Sequence, residues 1–329
     1  MIKVIQYGLG PIGNRLTEYL VARPGVQIVG AIDNDPAKIG KDVGTIAGLP
    51  PVGVEISDKA AEILKGSGGE VVLLTTSSSL EKVEPQLLEI LRHGLPVVST
   101  CEELSYPWET QPALSARLDQ AAKESGVAVL GTGVNPGFLM DFLPLALTGV
   151  CRRVSKVTVE RIQDARFRRI PFQKKIGAGL TRAEFSRKAD EGTLRHVGLT
   201  ESVQMIAAAL GWKLDRTEDV LEPIVAEHRV ETPAMTIEAG DCLGVCQTGR
   251  GLRNGEEVVT LVFKAAIGLE NPRDRVVIEG EPGIDATIAG GVNGDIATCA
   301  MVANAIPVVI KARPGLRSMA DIEPVSCRA

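Results

Sequence analysis

The sequence predicts an α/β protein in which a doubly wound parallel sheet is followed by a second, α+β domain on a mostly antiparallel sheet. Over the first 150 residues, short apolar runs alternate with helical stretches, and long alternating runs replace them afterwards. The first pattern is typical of a parallel sheet covered on both faces, and the second of antiparallel strands. We expect domains over 1–135 and 136–293, and a C-terminal helix and tail over 294–329 that return to the first domain.

The individual elements follow from these periodicities. The predicted strands of the first domain are IKVIQY, VQIVGAID, EVVLLTT, LPVVST and VAVLGT, and the helices between them include NRLTEYLVA, LEKVEPQLLEILRHG and ALSARLDQAAKESG. The predicted strands of the second domain are RRVSKVTVERIQ, EPIVAEHRVET, DCLGVCQTGRG, EEVVTLVFKAAIGLE and DRVVIEGEP, with a hairpin at GRGLRNGE. Two apolar helices, TESVQMIAAALGW and GDIATCAMVANAIPVVIKA, complete the chain.

Composition excludes several classes of function. The 329 residues carry a net charge of −5 without a long basic run, and only 3% are aromatic. Neither an electrostatic footprint nor stacking rings for nucleic acid are therefore expected. No apolar run reaches membrane-spanning length, and the first residues enter a strand directly, so we expect a cytoplasmic protein without a membrane partner.

The cysteines do not indicate a metal site or disulfides. Cys242 and Cys246 are the one close pair, and their spacing and the lack of a nearby His do not suit zinc. Disulfides are rare in the expected compartment. We predict that Cys242 and Cys246 are small core residues and that the protein binds no metal.

A glycine-rich turn predicts a dinucleotide site. The stretch YGLGPIGNRL places Gly8, Gly10 and Gly13 in a G-x-G-x-x-G pattern between a strand and a helix, and Asp33 ends the next strand. This context favours a Rossmann domain over the alternative that the glycines serve only the turn. Gly8 allows the tight turn, Gly10 admits a pyrophosphate, and Gly13 permits close helix packing. The predicted cofactor contacts here are Gly8, Leu9, Gly10, Pro11, Ile12, Gly13 and Asp33.

The cofactor is predicted to be NAD or NADP, and Asp33 favours NAD. Its carboxylate would accept hydrogen bonds from the ribose hydroxyls and repel a 2′-phosphate. Lys38 and Lys41 would reach such a phosphate if Asp33 turned aside. Thr76, Ser77 and Ser78 follow a strand and are expected near the cofactor, with capping of the next helix as the alternative.

An acidic pair follows the strand LPVVST. We expect Cys101, Glu102 and Glu103 at the carboxyl edge of the sheet, where the nicotinamide would lie. A partly desolvated carboxylate there would have a raised pKa and exchange protons near neutral pH. The alternative is an acid pair at a helix start, and position alone does not separate the two. In GTGVNPGF, Asn135 is predicted as an N-cap, with Pro136 at the first helical position, and also as a cofactor contact.

Several stretches together resemble the 2,4-diaminopentanoate dehydrogenase family, whose relatives include native amine dehydrogenases on a dihydrodipicolinate reductase-like scaffold. They are YGLGPIGNRL, STCEELSYP, GTGVNPGF, RIQDARFRRIPFQKKIGAGLT and GGVNGDIATCAMVANAIP. The resemblance implies reversible, NAD(P)-dependent oxidative deamination of a primary amine or diamino acid to the ketone plus ammonia, by a homodimer. It also implies a catalytic glutamate in EELSYP, which maps onto Glu102, with Glu103 as the fallback.

If the substrate is an amino acid, an Arg or Lys must hold its carboxylate. The run RIQDARFRRIPFQKKIG offers several cations, although such runs are usually solvated faces. His196 and Thr298 have structural alternatives, as a surface histidine and a helix-packing residue. The predicted substrate contacts are Val134, Phe138, Arg161, Arg168, Phe172, His196 and Thr298.

Two other functions stay open at this point. A C=N or C=C reductase of the dihydrodipicolinate reductase type would need a paired-His motif with a nearby Lys, whereas His93, His196 and His228 are far apart in sequence. A non-catalytic dinucleotide-binding protein would not need a carboxylate at the strand end. The sequence does not choose between a diamino acid and a simple amine.

Overall fold

A computed structural model of the chain describes residues 1–168, 170–233 and 235–327. The strands are β1 (Ile2–Tyr7), β2 (Val26–Ile32), β3 (Ile56–Ser57), β4 (Val71–Leu74), β5 (Val97–Ser99), β6 (Ala128–Gly131), β7 (Arg153–Asp164), β8 (Arg216–Val225), β9 (Val230–Glu231), β10 (Thr236–Ile237), β11 (Cys242–Arg253), β12 (Glu256–Ala266), β13 (Arg273–Glu281), β14 (Ile284–Ala289) and β15 (Gly315–Arg317). The helices are α1 (Pro11–Ala22), α2 (Val43–Ile46), α3 (Ala60–Gly66), α4 (Leu80–Arg92), α5 (Pro112–Glu124), α6 (Phe142–Thr148), α7 (Ile170–Lys175), α8 (Arg182–Asp190), α9 (Leu199–Ala209) and α10 (Gly294–Val309).

The chain forms two compact units. Unit 1 comprises Met1–Phe138 and Asn293–Ala329, and unit 2 comprises Leu139–Val292. Within the described residues, every helix is too short or too polar to cross a membrane.

Unit 1 is built on a seven-stranded parallel sheet. The strand order is β15-β6-β5-β4-β1-β2-β3, and every neighbouring pair is parallel. The chain therefore leaves β1 toward β2 on one side and later returns to β4 on the other, which creates the crevice where doubly wound sheets bind ligands. All four residues of β4 are buried, as strands covered on both faces require. The predicted doubly wound parallel sheet is confirmed.

Unit 2 is built on a six-stranded mixed sheet in the order β14-β13-β7-β12-β11-β8. All neighbours are antiparallel except β7 and β12. Helix α9 packs on one face, where Gly249 and Gly251 of β11 leave room for Leu199 and Val203. The predicted mostly antiparallel sheet is confirmed, as is the β11–β12 hairpin, which turns at Asn254 and Gly255.

Two local predictions are wrong. The run EPIVAEHRVET is not one strand, because the chain leaves the sheet after β8 and Ala226 bonds instead to Asp241 and Gly240. The predicted helix start at Asn135 and Pro136 is a turn, and α6 begins only at Phe142. The chain folds back tightly here: a Cβ on Gly137 would lie 2.4 Å from the nitrogen of Gly133.

The N-cap of α6 is Asp141 instead of the predicted Asn135. Its carboxylate accepts a hydrogen bond from the N–H of Phe142 at 2.7 Å. The second carboxylate oxygen accepts one from the hydroxyl of Ser202 in α9, at 2.9 Å. A fully buried carboxylate therefore joins the start of α6 to α9 within unit 2.

One carboxylate organises the long connection between β2 and β3. Asp42 caps α2 and accepts hydrogen bonds from five backbone N–H groups at 2.8–3.1 Å, those of Gly44, Thr45, Val52, Gly53 and Val54. Burial alone would raise the pKa of Asp42, but the backbone donors outweigh it and hold the pKa below its ordinary value.

We therefore expect Asp42→Asn to lower the free energy of unfolding by about 2 kcal/mol at pH 7, because an amide NH₂ would face N–H donors. The depressed pKa stabilises the fold above the unfolded value of about 3.9, and this stabilisation is lost as the pH falls through the folded pKa. The difference between wild type and variant in urea denaturation should therefore shrink below about pH 4. A constant difference down to pH 2 would contradict this role.

Candidate functional site

The glycine-rich turn lies at the carboxyl ends of β1 and β4. The hydroxyl of Thr75, which follows β4, donates to the carbonyl of Gly8 at 2.7 Å. Gly8 has a φ of +98°, and a Cβ there would lie 2.8 Å from the Thr75 carbonyl. A Cβ on Gly13 would lie 2.1 Å from the carbonyl oxygen of Gly8. Both glycines are thus required by the close packing of the turn, α1 and β4.

The start of α1 offers a position for an anion. Gly10 is the N-cap residue and Pro11 opens the helix. A Cβ on Gly10 would meet no atom within 4 Å, so this backbone is open to a ligand. The first N–H groups of a helix have no intrahelical acceptor, and its dipole is positive at this end. The turn therefore fits the pyrophosphate of a dinucleotide.

Asp33 lies at the end of β2, next to the same turn. Its Oδ2 accepts hydrogen bonds from the N–H of Leu9 at 2.7 Å and from the Nζ of Lys38 at 3.3 Å. Its Oδ1 accepts one from the N–H of Asp35 at 2.9 Å, and a carboxylate oxygen can accept a second. Lys38 also pairs with Asp35 at 3.3 Å. Asp33 thus holds the turn and keeps one acceptor position for a ribose hydroxyl.

The structure separates the two adjacent glutamates. They open a 3₁₀ turn, Glu102–Leu104, directly after β5. The Oε2 of Glu103 accepts hydrogen bonds from the N–H of Leu80 at 2.8 Å and from the side chain of Gln111 at 2.9 Å. Glu103 therefore caps α4, and Glu102 is half-buried. Both acids lie in the first turn of the 3₁₀ helix, which agrees with the helix-start alternative for the pair.

The hydroxyl run after β4 does not cap α4. Ser79 is the N-cap residue, yet its side chain makes no capping bond. Thr76 donates to the side chain of Gln86 at 2.6 Å, and Ser77 accepts from the N–H of Ser79 at 3.2 Å. The carbonyl of Ser78 accepts from the N–H of Glu103 at 3.3 Å. The capping alternative for these hydroxyls is therefore wrong, and the run instead ties the end of β4 to the acidic turn.

Close backbone packing also places the acidic turn against β6. A Cβ on Gly131 would lie 2.6 Å from the carbonyl carbon of Leu104, so only glycine admits the turn at this distance. Cys101 precedes the turn, is 1% exposed, and donates from Sγ to the carbonyl of Ser78 at 3.3 Å. Burial raises the pKa of the Cys101 thiol far above its ordinary value, so it stays protonated in the core.

Residues after β6 and in α10 complete this edge of unit 1. The N–H of Val134 donates to the hydroxyl of Thr298 at 3.3 Å. Asn135 is 8% exposed and Phe138 is half-buried. Helix α10 packs on α1, where Cys299 Sγ lies 3.8 Å from the carbonyl of Ile12. The predicted contacts of unit 1 thus follow neighbouring strands at one edge of the sheet.

The other predicted contacts lie in unit 2, which contains a recess that is open at its mouth. It is lined by Phe172, Lys175, Ile176, Leu194, Arg195, His196, Val245 and Phe263. The His196 and Phe263 rings stack with centroids 4.6 Å apart, and the Arg168 guanidinium lies 4.2 Å above the ring of Phe172. Three predicted residues, Arg168, Phe172 and His196, are therefore in or beside this recess.

Arg161 has a structural position instead. It is 2% exposed and pairs with Asp274 at 2.9 Å, while its second nitrogen donates to the carbonyl of Val292 at 3.0 Å. Asp274 also accepts from the N–H of Val292 at 2.8 Å. The pair therefore binds both the carbonyl and the N–H of Val292. The burial of Arg161 does not support the prediction that it faces a pocket.

Sequence reasoning missed a polar network under the recess. Gln247 of β11 is fully buried; it accepts from the N–H of His196 at 2.7 Å and donates to its carbonyl at 3.0 Å. It also donates to both oxygens of Asp219 at 2.8 and 3.0 Å. Burial raises the pKa of Asp219, and Gln247 and Arg195 oppose this. A glutamine inside the apolar run of β11 was the available signal, because a buried amide requires partners.

The described residues contain no group of three or more His, Cys, Asp or Glu side chains placed to hold an ion. None of the six cysteines forms a disulfide in the described chain.

Two family models match the chain. The model of the 2,4-diaminopentanoate dehydrogenase C-terminal domain matches residues 138–328, more than half of the chain. The model of the dihydrodipicolinate reductase N-terminus matches residues 2–101.

Individual relatives match over nearly their whole length. A 2,4-diaminopentanoate dehydrogenase of Acetoanaerobium sticklandii is 34% identical over 98% of this chain and 93% of its own. An amine dehydrogenase of Streptomyces virginiae is 25% identical over 98% and 96%. The solved structure of an amine dehydrogenase from Mycobacterium smegmatis has a TM-score of 0.86 and 28% identity, covering 99% of this chain and 97% of that chain.

The capping role of Glu103 can be tested by stability. Glu103→Ala removes the acceptor at the start of α4 and should lower the free energy of unfolding by about 1–2 kcal/mol, measured by urea denaturation. Glu109→Ala, an exposed glutamate of the same segment, is the matched control and should change it by less than about 0.5 kcal/mol. Equal effects of the two variants on the free energy of unfolding would show that Glu103 does not stabilise the start of α4.

Proposed function

Because the chain belongs to the 2,4-diaminopentanoate dehydrogenase family, we propose that it deaminates 2,4-diaminopentanoate or a closely similar diamino acid to the ketone plus ammonia, reversibly. It is an oxidoreductase of the amine dehydrogenase type, and its dinucleotide-binding unit is of the kind that takes NAD(P). The observation that carries the proposal is the position of Glu102. Its half-buried carboxylate follows β5 at the edge that holds the glycine turn, while its neighbour Glu103 is committed to α4.

The cofactor would be held by residues of unit 1. The turn Gly8–Gly13 and the start of α1 suit the pyrophosphate, and Asp33 suits the ribose. When bound, the nicotinamide accepts hydride from the amine-bearing carbon of the substrate. Lys38 pairs with both Asp33 and Asp35, and the Asp33 carboxylate beside the ribose position would repel a 2′-phosphate, which supports a preference for NAD.

Glu102 would act as the proton acceptor and donor of the reaction. An ammonium group has no lone pair to expel hydride, so the carboxylate of Glu102 first takes a proton from it. The same carboxyl group then exchanges protons as water adds at the oxidised carbon and ammonia leaves. In the direction of reductive amination these transfers run in reverse. Thr298, held beside Val134, would border the reacting carbon.

A homodimer through the uncovered face of the unit 2 sheet is part of the proposal. Val220 of β8 is 40% exposed on the face opposite the Gly249 and Gly251 contacts of α9. Val220 gives this face an exposed apolar side chain that a second copy of the chain would cover.

Glu102→Gln should lower kcat by at least about 100-fold, because an amide cannot take the ammonium proton. The dissociation constant of NADH, measured by fluorescence titration, should stay within about threefold of wild type, since the glycine turn is untouched. Glu109→Gln is the matched control and should leave both quantities unchanged. Turnover of the Glu102 variant near the wild-type rate would contradict the proton-transfer role proposed for Glu102.

Cofactor preference is a separate prediction. The kcat/KM of the wild type should be at least about tenfold higher with NAD⁺ than with NADP⁺, since the Asp33 carboxylate repels a 2′-phosphate. Asp33→Asn should narrow this ratio, whereas the exposed control Glu62→Gln should not. A wild type that prefers NADP⁺ would contradict the role given to Asp33.

A further inference from the structure

We propose that Arg195, with Lys175 beside it, anchors the carboxylate of the substrate in the recess of unit 2. This inference rests on the proposed function and deepens it, because it names the cation that would distinguish an amino acid from a plain amine. The substrate class it implies is a short amino acid whose carboxylate enters the recess and whose carbon chain lies on apolar walls.

The two arginines suggested by sequence are already engaged. Arg161 is 2% exposed, and Asp274 and the carbonyl of Val292 take its donors. Arg168 lies over Phe172 and donates to the side chain of Gln163 at 3.2 Å. A substrate carboxylate would have to displace these partners, and for Arg161 that means opening a buried ion pair, which is strongly destabilising.

Arg195 has more N–H groups than its ion pair uses. A guanidinium carries five N–H groups, and the ion pair of Arg195 with Asp219 is a long one, 3.6 Å. Its Nε is buried and has no hydrogen-bond partner among the described residues, while 40% of the side-chain surface is exposed. A carboxylate is the acceptor that best matches the fork of a guanidinium, and it would bind through the exposed part of this side chain.

Asp219 does not fully neutralise the charge of Arg195, because the Asp219 carboxylate already accepts hydrogen bonds from Gln247. The Gln247 amide donates to both Asp219 oxygens and binds the N–H and the carbonyl of His196. One fully buried side chain thus fixes the backbone next to Arg195 and orients the nearby carboxylate.

The rest of the recess fits the remainder of such a ligand. Phe172, Val245 and Phe263 give it apolar walls, and the exposed Lys175 adds a second positive charge. No aspartate or glutamate lines the recess among the described residues. An anion with a short apolar chain is therefore favoured over a cation at this position.

The test compares two substrates that differ in the carboxylate, 2,4-diaminopentanoate and 2-aminopentane. Arg195→Gln should lower kcat/KM for the diamino acid by about 30- to 100-fold, mainly through KM, and change that for the plain amine by less than about threefold. Arg195→Lys should have an intermediate effect, since a point charge replaces the fork. Arg187→Gln, at an exposed arginine of α8, is the control and should leave kcat/KM unchanged for both substrates.

Equal losses on both substrates, or no loss on either, would overturn the anchor. Should Arg195→Gln fail to fold, Lys175→Met decides: a higher KM for the diamino acid alone supports the anchor, and unchanged values for both substrates refute it.

Binding of pentanoate, measured by calorimetry without cofactor or turnover, separates this inference from the proposed function. If the wild type deaminates neither substrate, the proposed function fails, yet pentanoate binding that is lost in Arg195→Gln would still support the anchor. Binding that is equal in both proteins, or absent from the wild type, would refute it.

Discussion

The candidate site of unit 1 depends on the packing of a bare backbone turn against the end of β4. The Thr75 hydroxyl reaches the Gly8 carbonyl, and Gly13 lies so close to that carbonyl that a methyl group would collide with it. This contact sets where α1 begins and therefore where its N–H groups point. The carboxylate of Asp33 reinforces the same turn through Leu9. A cofactor position made of backbone can be held only if the neighbouring strands come this close.

The start of α4 bears on the roles of the two adjacent acids, Glu102 and Glu103. The start of α4 presents an N–H without an intrahelical acceptor, and Glu103 lies within reach of it. Once one carboxylate has taken that structural position, its neighbour is directed elsewhere, because consecutive side chains leave a tight turn in different directions. Gly131 completes the arrangement by letting the turn approach β6. The proposed proton-transfer role of Glu102 is thus supported by the helix cap next to it.

Two arginines of unit 2, Arg161 and Arg195, differ in burial. Arg161 forms a buried pair with Asp274, whereas Arg195, whose side chain is 40% exposed, shares its counter-ion with Gln247. An arginine that keeps accessible surface at the wall of a recess is the position where a ligand carboxylate can bind without breaking a buried pair. A neutral amide, through its four hydrogen bonds, creates this difference between two residues of the same type.

The sequence by itself determined the fold class, the glycine turn and the family, because periodicity and short-range spacing are local properties of the chain. The resemblance first read from five stretches is confirmed by the family models and relatives. Only the tertiary structure placed Glu103 at the start of α4, removed the helix start at Asn135, buried Arg161 and brought Arg195 beside Asp219 and Gln247. Each of these outcomes depends on which groups from distant segments meet. Hydrogen bonds such as that between Glu103 and Leu80 join residues far apart in sequence, and no local pattern records them.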